Sequence, residues 1–105
     1  MKTEKEKMLA GELYFSADAD LTADRERCKD LCHEYNALRP SNTARQQEII
    51  KKLFAQVGEN CFLTAPFWCD YGYNMEVGEN FYSNHNCVFL DCAKITFGNN
   101  VFVAP

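Results

Sequence analysis

No run of apolar residues in this sequence approaches the length of a membrane-spanning helix, so no such helix is expected. Basic charge is also short: 11 Lys and Arg stand against 15 Asp and Glu, giving a net charge of −4. That balance argues against nucleic acid or an anionic membrane surface as the main partner. The charged opening Met1 to Lys7 has no apolar signal region behind it, which points to a cytoplasmic protein. Low-complexity tracts are missing. Cysteine, by contrast, is abundant, with Cys28, Cys32, Cys61, Cys69, Cys87 and Cys92. What these six lack is the spacing of a zinc site, a close pair answered by a second close pair. Cys28 and Cys32 share a helical face beside His33, but the other four show no pairing, so a metal or redox protein is disfavoured and no metal is expected. The apolar content of 47% can supply a core without disulfides, and the thiols read as reduced, buried, small apolar residues.

The 105 residues suffice for one modest domain, and its character changes near Val57. Before that point the signals are helical. Thr3 with Glu6 three residues later forms a capping box for a short first helix, and Gly11 is its stop. Glu12 to Asp20 reads as a connecting loop. A second helix is expected from about Thr22 to Leu38, with Cys28, Leu31, Cys32, Tyr35 and Leu38 on one face and Asp24, Arg25, Glu26 and Lys29 on the other. Pro40 ends it. A third helix starts at Ser41 or Thr43 and buries Ile49, Ile50, Leu53 and Phe54.

After Val57 a hexapeptide recurs. Val57-Gly58-Glu59-Asn60-Cys61-Phe62 returns as Val77-Gly78-Glu79-Asn80-Phe81-Tyr82 and as Phe97-Gly98-Asn99-Asn100-Val101-Phe102. The starts at 57, 77 and 97 give a period of 20 residues twice over. Three hexapeptides make one coil of about eighteen residues in a hexapeptide-type β-helix, and the small excess fits at one corner. The apolar position points into the coil, and Gly and Asn are expected to take the turn angles that the corners need. The reading is therefore an α+β chain, with helices over 1–56 and the first coils, between two and three, of a parallel β-helix over 57–105.

At this point the residues resemble a known family. Thr3-Glu4-Lys5-Glu6-Lys7-Met8-Leu9-Ala10-Gly11-Glu12-Leu13-Tyr14 is similar to the opening of maltose O-acetyltransferases. Asp70-Tyr71-Gly72-Tyr73-Asn74, Asn80-Phe81-Tyr82-Ser83-Asn84 and Leu90-Asp91 resemble the same enzymes and their galactoside O-acetyltransferase relatives. The resemblance implies a left-handed parallel β-helix carrying a helical cap subdomain, and a homotrimer with active sites between neighbouring subunits. It implies acetyl transfer from acetyl-CoA, as co-substrate, to the hydroxyl of a maltose- or glucose-like sugar.

A sugar hydroxyl is too weak an acid to attack a thioester unaided, so a base that works near neutral pH is needed, and histidine suits best. In the family that His lies a short distance beyond a segment like Asn100-Val101-Phe102-Val103-Ala104-Pro105, so the expected base falls outside these residues. His33, beside Glu34 and Tyr35, reads as a surface or packing residue. His85 stands where family members more often carry an aromatic ring and also reads as non-catalytic. The resemblance assigns Asn84 to transition-state stabilisation, since an amide can donate to an oxyanion without bearing charge. It assigns Asp70 and Asp91 to acceptor contact, where carboxylates suit sugar hydroxyls. At Asp70 the galactoside enzymes have a small hydroxyl residue, and where Cys92 follows Asp91 they have a second Asp. Tyr82 matches a position that can lay a ring on a sugar face, or fill a hexapeptide core position. Ser16, which replaces an acidic residue of the galactoside enzymes, and Arg25 match cap positions that reach the acceptor. Arg25 can also pair with Asp24 or Glu26. Beside the enzyme reading stands a non-catalytic, truncated scaffold or trimerising fragment; in either case the 105 residues alone are expected to be inactive.

Overall fold

The computed structural model describes all 105 residues. Three helices come first: α1 (Glu4–Leu9), α2 (Ala19–Ala37) and α3 (Thr43–Leu53). Eight short strands follow: β1 (Gln56–Val57), β2 (Phe62–Leu63), β3 (Phe67–Cys69), β4 (Met75–Val77), β5 (Tyr82–Ser83), β6 (Cys87–Phe89), β7 (Ile95–Phe97) and β8 (Phe102–Val103).

The capping box at α1 forms as read: Glu6 N donates to Thr3 Oγ1 at 3.1 Å, and Thr3 N to Glu6 Oε1 at 2.9 Å. Gly11 follows the helix with φ of +75°, a left-handed conformation that suits glycine. Two boundaries differ from expectation. The loop ends early, because Asp18 caps α2 through bonds from Asp20 N (3.1 Å) and Leu21 N (3.2 Å), so the helix begins at Ala19 and buries Leu21. Helix α3 is capped by Asn42, between the two residues expected to start it, through a 3.4 Å bond from Arg45 N.

The strands form three short parallel sheets, ordered β1-β4-β7, β2-β5-β8 and β3-β6. Every register is offset by 20: Val57 opposite Val77 and Val77 opposite Phe97, Leu63 opposite Ser83 and Ser83 opposite Val103, Phe67 opposite Cys87. The chain therefore winds as a three-sided coil for two full turns and two sides of a third, in line with the hexapeptide period. Asn60, Asn80 and Asn100 take the corners with φ of 60°, 57° and 60°, and their amides stack by bonds of 3.1 and 2.9 Å. The glycines have a different task from the one expected. Gly58 and Gly78 do not have positive φ; a Cβ on Gly58 would lie 2.6 Å from backbone atoms of Gly78 and Glu79, and one on Gly78 only 2.4 Å from Asn99 Oδ1. They let adjacent turns approach closely.

Helices and coil share one core. Cys28, Cys32 and Tyr35 of α2 and Ile49, Ile50 and Leu53 of α3 pack with Cys61, Leu63, Phe67, Cys69, Met75, Phe81 and Cys87 of the coil. Two bonds between Asn36 and Phe67 (Nδ2 to O at 3.0 Å, N to Oδ1 at 2.8 Å) fasten α2 to β3, and Tyr35 donates to Leu63 O at 2.6 Å. A smaller cluster of Met8, Leu21 and Tyr71 holds α1 and the start of α2 against the β3–β4 turn.

Candidate functional site

The β3–β4 turn, residues 70–74, is built around one carboxylate. Asp91 Oδ1 accepts from Tyr71 N (2.8 Å) and Asp70 N (3.1 Å), and Oδ2 from Asn74 N at 3.3 Å. Asn74 Nδ2 donates to Asp91 O at 2.7 Å. Gly72, with φ of +80°, completes the turn, and a Cβ there would strike the Leu53 carbonyl at 2.5 Å. Asp91 is 0% exposed. The expectation that it contacts an acceptor is therefore corrected: both oxygens are committed to backbone donors beyond the reach of a ligand. Burial lifts its pKa above the ordinary value, and the N–H donors of Tyr71 and Asn74 pull it back.

The turn so fixed presents Asp70 and Tyr71 to α2. Arg25 Nη1 donates to Tyr71 Oη at 2.7 Å, and Nη2 to Ser16 O at 2.7 Å and Thr22 Oγ1 at 3.3 Å. Arg25 thus pairs with neither Asp24 nor Glu26, and its pKa is raised, first by the bond to Tyr71. Asp70 receives Lys29 Nζ on Oδ1 at 3.5 Å and Cys92 Sγ on Oδ2 at 3.6 Å. Tyr73 donates to Asp24 Oδ2 at 2.8 Å and lies under Lys5, 4.1 Å from the ring centroid. Burial first, then Asp24, pushes the Tyr73 phenol well above its ordinary pKa. Ser16, Arg25 and Asp70 are thereby gathered into one polar cluster, together with Tyr71 and Cys92, which sequence reasoning did not single out for this role. Of the adjacent pair, half-buried Cys92 and not Asp91 faces Asp70. The signal for this was the second Asp of the galactoside enzymes at the Cys92 position.

Asn84 and Tyr82 lie elsewhere. Asn84 follows β5, at the corner joining the β2-β5-β8 sheet to the β3-β6 sheet; its N donates to Val103 O at 2.8 Å and its Oδ1 accepts from His85 N at 2.7 Å. The side of the coil formed by β3 separates this corner from Asp70, a span on the order of 15 Å at strand rise. Tyr82 is not a core residue: Phe81 fills the interior, while Tyr82 stands on the outer face between Phe62 (centroids 6.0 Å, stacked) and Phe102 (5.9 Å). His85 is exposed, with Nδ1–H donating to Ala65 O at 2.6 Å, and His33 is exposed on α2. A cleft of about 120 Å³ lies between the α2–α3 region and the coil, bordered by Leu38, Pro40 and Gln46 on one side and Phe62, Thr64 and His85 on the other; Asn84 does not line it. A larger cleft, about 460 Å³, is lined by polar residues of the N-terminal segment and α2 and contains none of the expected site residues.

Residues 7–58 match the maltose acetyltransferase hexapeptide capping motif. A maltose O-acetyltransferase from Clostridium difficile 630 superimposes with a TM-score of 0.97 at 43% identity, over 99% of this chain and 56% of that one. This chain belongs to the maltose O-acetyltransferase family of hexapeptide-repeat proteins. A candidate acetyltransferase of Saccharomyces cerevisiae is 44% identical over 101 residues, 95% of this chain and 52% of its own length. A hexapeptide-repeat acetyltransferase from Vibrio cholerae, solved with acetyl coenzyme A, is 32% identical with a TM-score of 0.85, over 97% of this chain and 55% of that one. The chain thus spans about half the length of the relatives it matches.

Proposed function

We propose that these residues form the acceptor side of an acetyltransferase that moves the acetyl group of acetyl-CoA to a hydroxyl of a maltose- or glucose-like sugar. The observation that carries this reading is the cluster of Ser16, Arg25 and Asp70 around the turn that Asp91 fixes. A carboxylate and a guanidinium held by packed neighbours suit the hydroxyl-rich rim of a sugar. Asp91 acts through the turn and is a positioning residue. Cys92 offers the acceptor a softer, uncharged neighbour where galactoside enzymes have an acid.

In the reaction, the sugar oxygen attacks the thioester carbon, a base removes the hydroxyl proton, and the C–S bond breaks as the CoA sulfur takes a proton. Asn84 would donate from its amide to the oxyanion of the tetrahedral intermediate. The histidine base and most of the acetyl-CoA surface come, on this reading, from chain outside these 105 residues. Because Asn84 stands at the coil corner after β5 while Arg25 reaches from α2 to the β3–β4 turn, the site would be completed between copies, in keeping with a homotrimer of left-handed coils in the cytoplasm.

The test is acetyl-CoA thiol release with maltose, glucose and a galactoside as acceptors, using protein of the relatives' length. Asn84→Ala should lower kcat by about 10²–10³. Arg25→Ala should act mainly on the sugar KM. Unchanged kcat in Asn84→Ala would remove Asn84 from the mechanism.

A further inference from the structure

Under α2, on the inner side of the helix from the polar cluster, three cysteine sulfurs meet. Cys28 Sγ lies 3.4 Å from Cys69 Sγ, Cys32 Sγ lies 4.0 Å from it, and all three fall within 4.8 Å of one another. All three residues are 0% exposed. Burial alone does not gather them: Cys61 and Cys87 are also buried, yet neither joins the group. Sequence spacing missed the cluster because Cys69 lies 37 residues from Cys32 and has no cysteine partner nearby in the chain.

We propose that Cys28, Cys32 and Cys69 form a trigonal thiolate site for one monovalent copper ion. An ion held in a plane by three sulfurs at about 2.3 Å sets sulfur–sulfur edges of about 4.0 Å, so the sulfurs need only small shifts to seat it. The ligands stand on fixed elements: Cys28 and Cys32 are one turn apart on α2, and Asn36 clamps the same helix to the strand ending at Cys69. Lys29 donates to Cys69 O at 2.9 Å, bringing positive charge to the edge of an anionic site.

The donor set selects the ion. Structural zinc is almost always four-coordinate, and no fourth His, Cys, Asp or Glu joins the group. The Asp91 carboxylate is committed to backbone N–H groups. Iron–sulfur clusters take four ligands and calcium or magnesium takes oxygen, whereas soft thiolates without water suit monovalent copper.

The experiment is an anaerobic titration of the reduced protein with Cu(I) against a chromophoric competing chelator, followed by copper-edge X-ray absorption. One ion per chain is expected, with three sulfurs at about 2.3 Å. Cys69→Ser should weaken binding by more than about 100-fold, beyond what loss of an outer contact does, and Cys61→Ser should leave it unchanged. Less than one retained ion, a two-sulfur shell, or equal loss in Cys61→Ser would overturn the proposal. So would tight zinc binding with a nitrogen or oxygen fourth ligand in place of copper. The absorption result on the unsubstituted protein decides the matter even where Cys69→Ser fails to fold.

Discussion

The carboxylate of Asp91 accepts from three backbone N–H groups where solvent does not reach, while Cys92, one residue on, is half-buried beside Asp70. Replacing Asp91 by Asn turns one acceptor into a donor facing other donors, and should cost about 1–3 kcal/mol of stability. The pH dependence has a definite sign. Burial raises the folded pKa, so between the unfolded value and the folded one the folded state holds the proton more tightly. Asp91's contribution is therefore fullest below about pH 4 and declines as pH rises through the folded pKa. Urea unfolding of both proteins across this window should show the native protein's lead over Asp91→Asn shrinking with rising pH. A widening lead would mean that the backbone donors outweigh burial. The family resemblance assigned acceptor contact to Asp91, in a pair where the galactoside enzymes have two acids in a row; only the fold shows which of the two neighbours points inward.

Among the elements, the coil was legible in the sequence and its reasons only partly so. The 20-residue recurrence locates strands, register and corner asparagines, because each turn repeats the same local problem. The role of Gly58 and Gly78 was not legible, since it depends on the turn that lands beside them. Gly78→Ala should be strongly destabilising, by about 1–3 kcal/mol or more, as its Cβ meets Asn99 and the Gly98 backbone. Gly98→Ala in this chain meets nothing within 4 Å and should be close to neutral. Thermal unfolding of the two variants checks the contrast, and equal losses would return the explanation to backbone angles. Ser83 offers the reverse case. Its hydroxyl is buried in the coil without a hydrogen-bond partner, between Leu63 and Val103 in register. Ser83→Ala should be neutral or stabilising by up to about 1 kcal/mol, measured by the same unfolding. The helix caps Asp18 and Asn42 escaped sequence reading for a smaller reason: several residues at each start can cap, and packing of Leu21 in one case chooses among them.

For the whole molecule, the placement of the site residues sets the question. Asp70 sits at one corner of the coil, beside the Tyr71 that Arg25 of α2 contacts, and Asn84 sits at another corner, with the β3 side of the coil between them. No side chain bridges the two in a single copy. The coil's outer faces carry Phe62, Val88, Leu90 and Phe102, which are 42%, 56%, 65% and 76% exposed, apolar surface that the proposed neighbouring copies would cover. If neighbouring copies bring one chain's Asn84 to the other's Arg25, two differently damaged chains can repair each other. Asn84→Ala and Arg25→Ala, each made in protein of the relatives' length and assayed at sugar concentrations below KM so that each is weak alone, should regain activity when co-expressed in equal amounts. In a cyclic assembly with random mixing, a site draws its intact Asn84 from one chain and its intact Arg25 from the next with a chance of about one in four. About a quarter of the unsubstituted rate per site is therefore expected in the thiol-release assay. Separately purified variants mixed without subunit exchange should show none of it, and dilution that dissociates the assembly should abolish it. If co-expression gives only the average of the two weak variants, each site lies within one chain, and the reading that copies complete it is wrong.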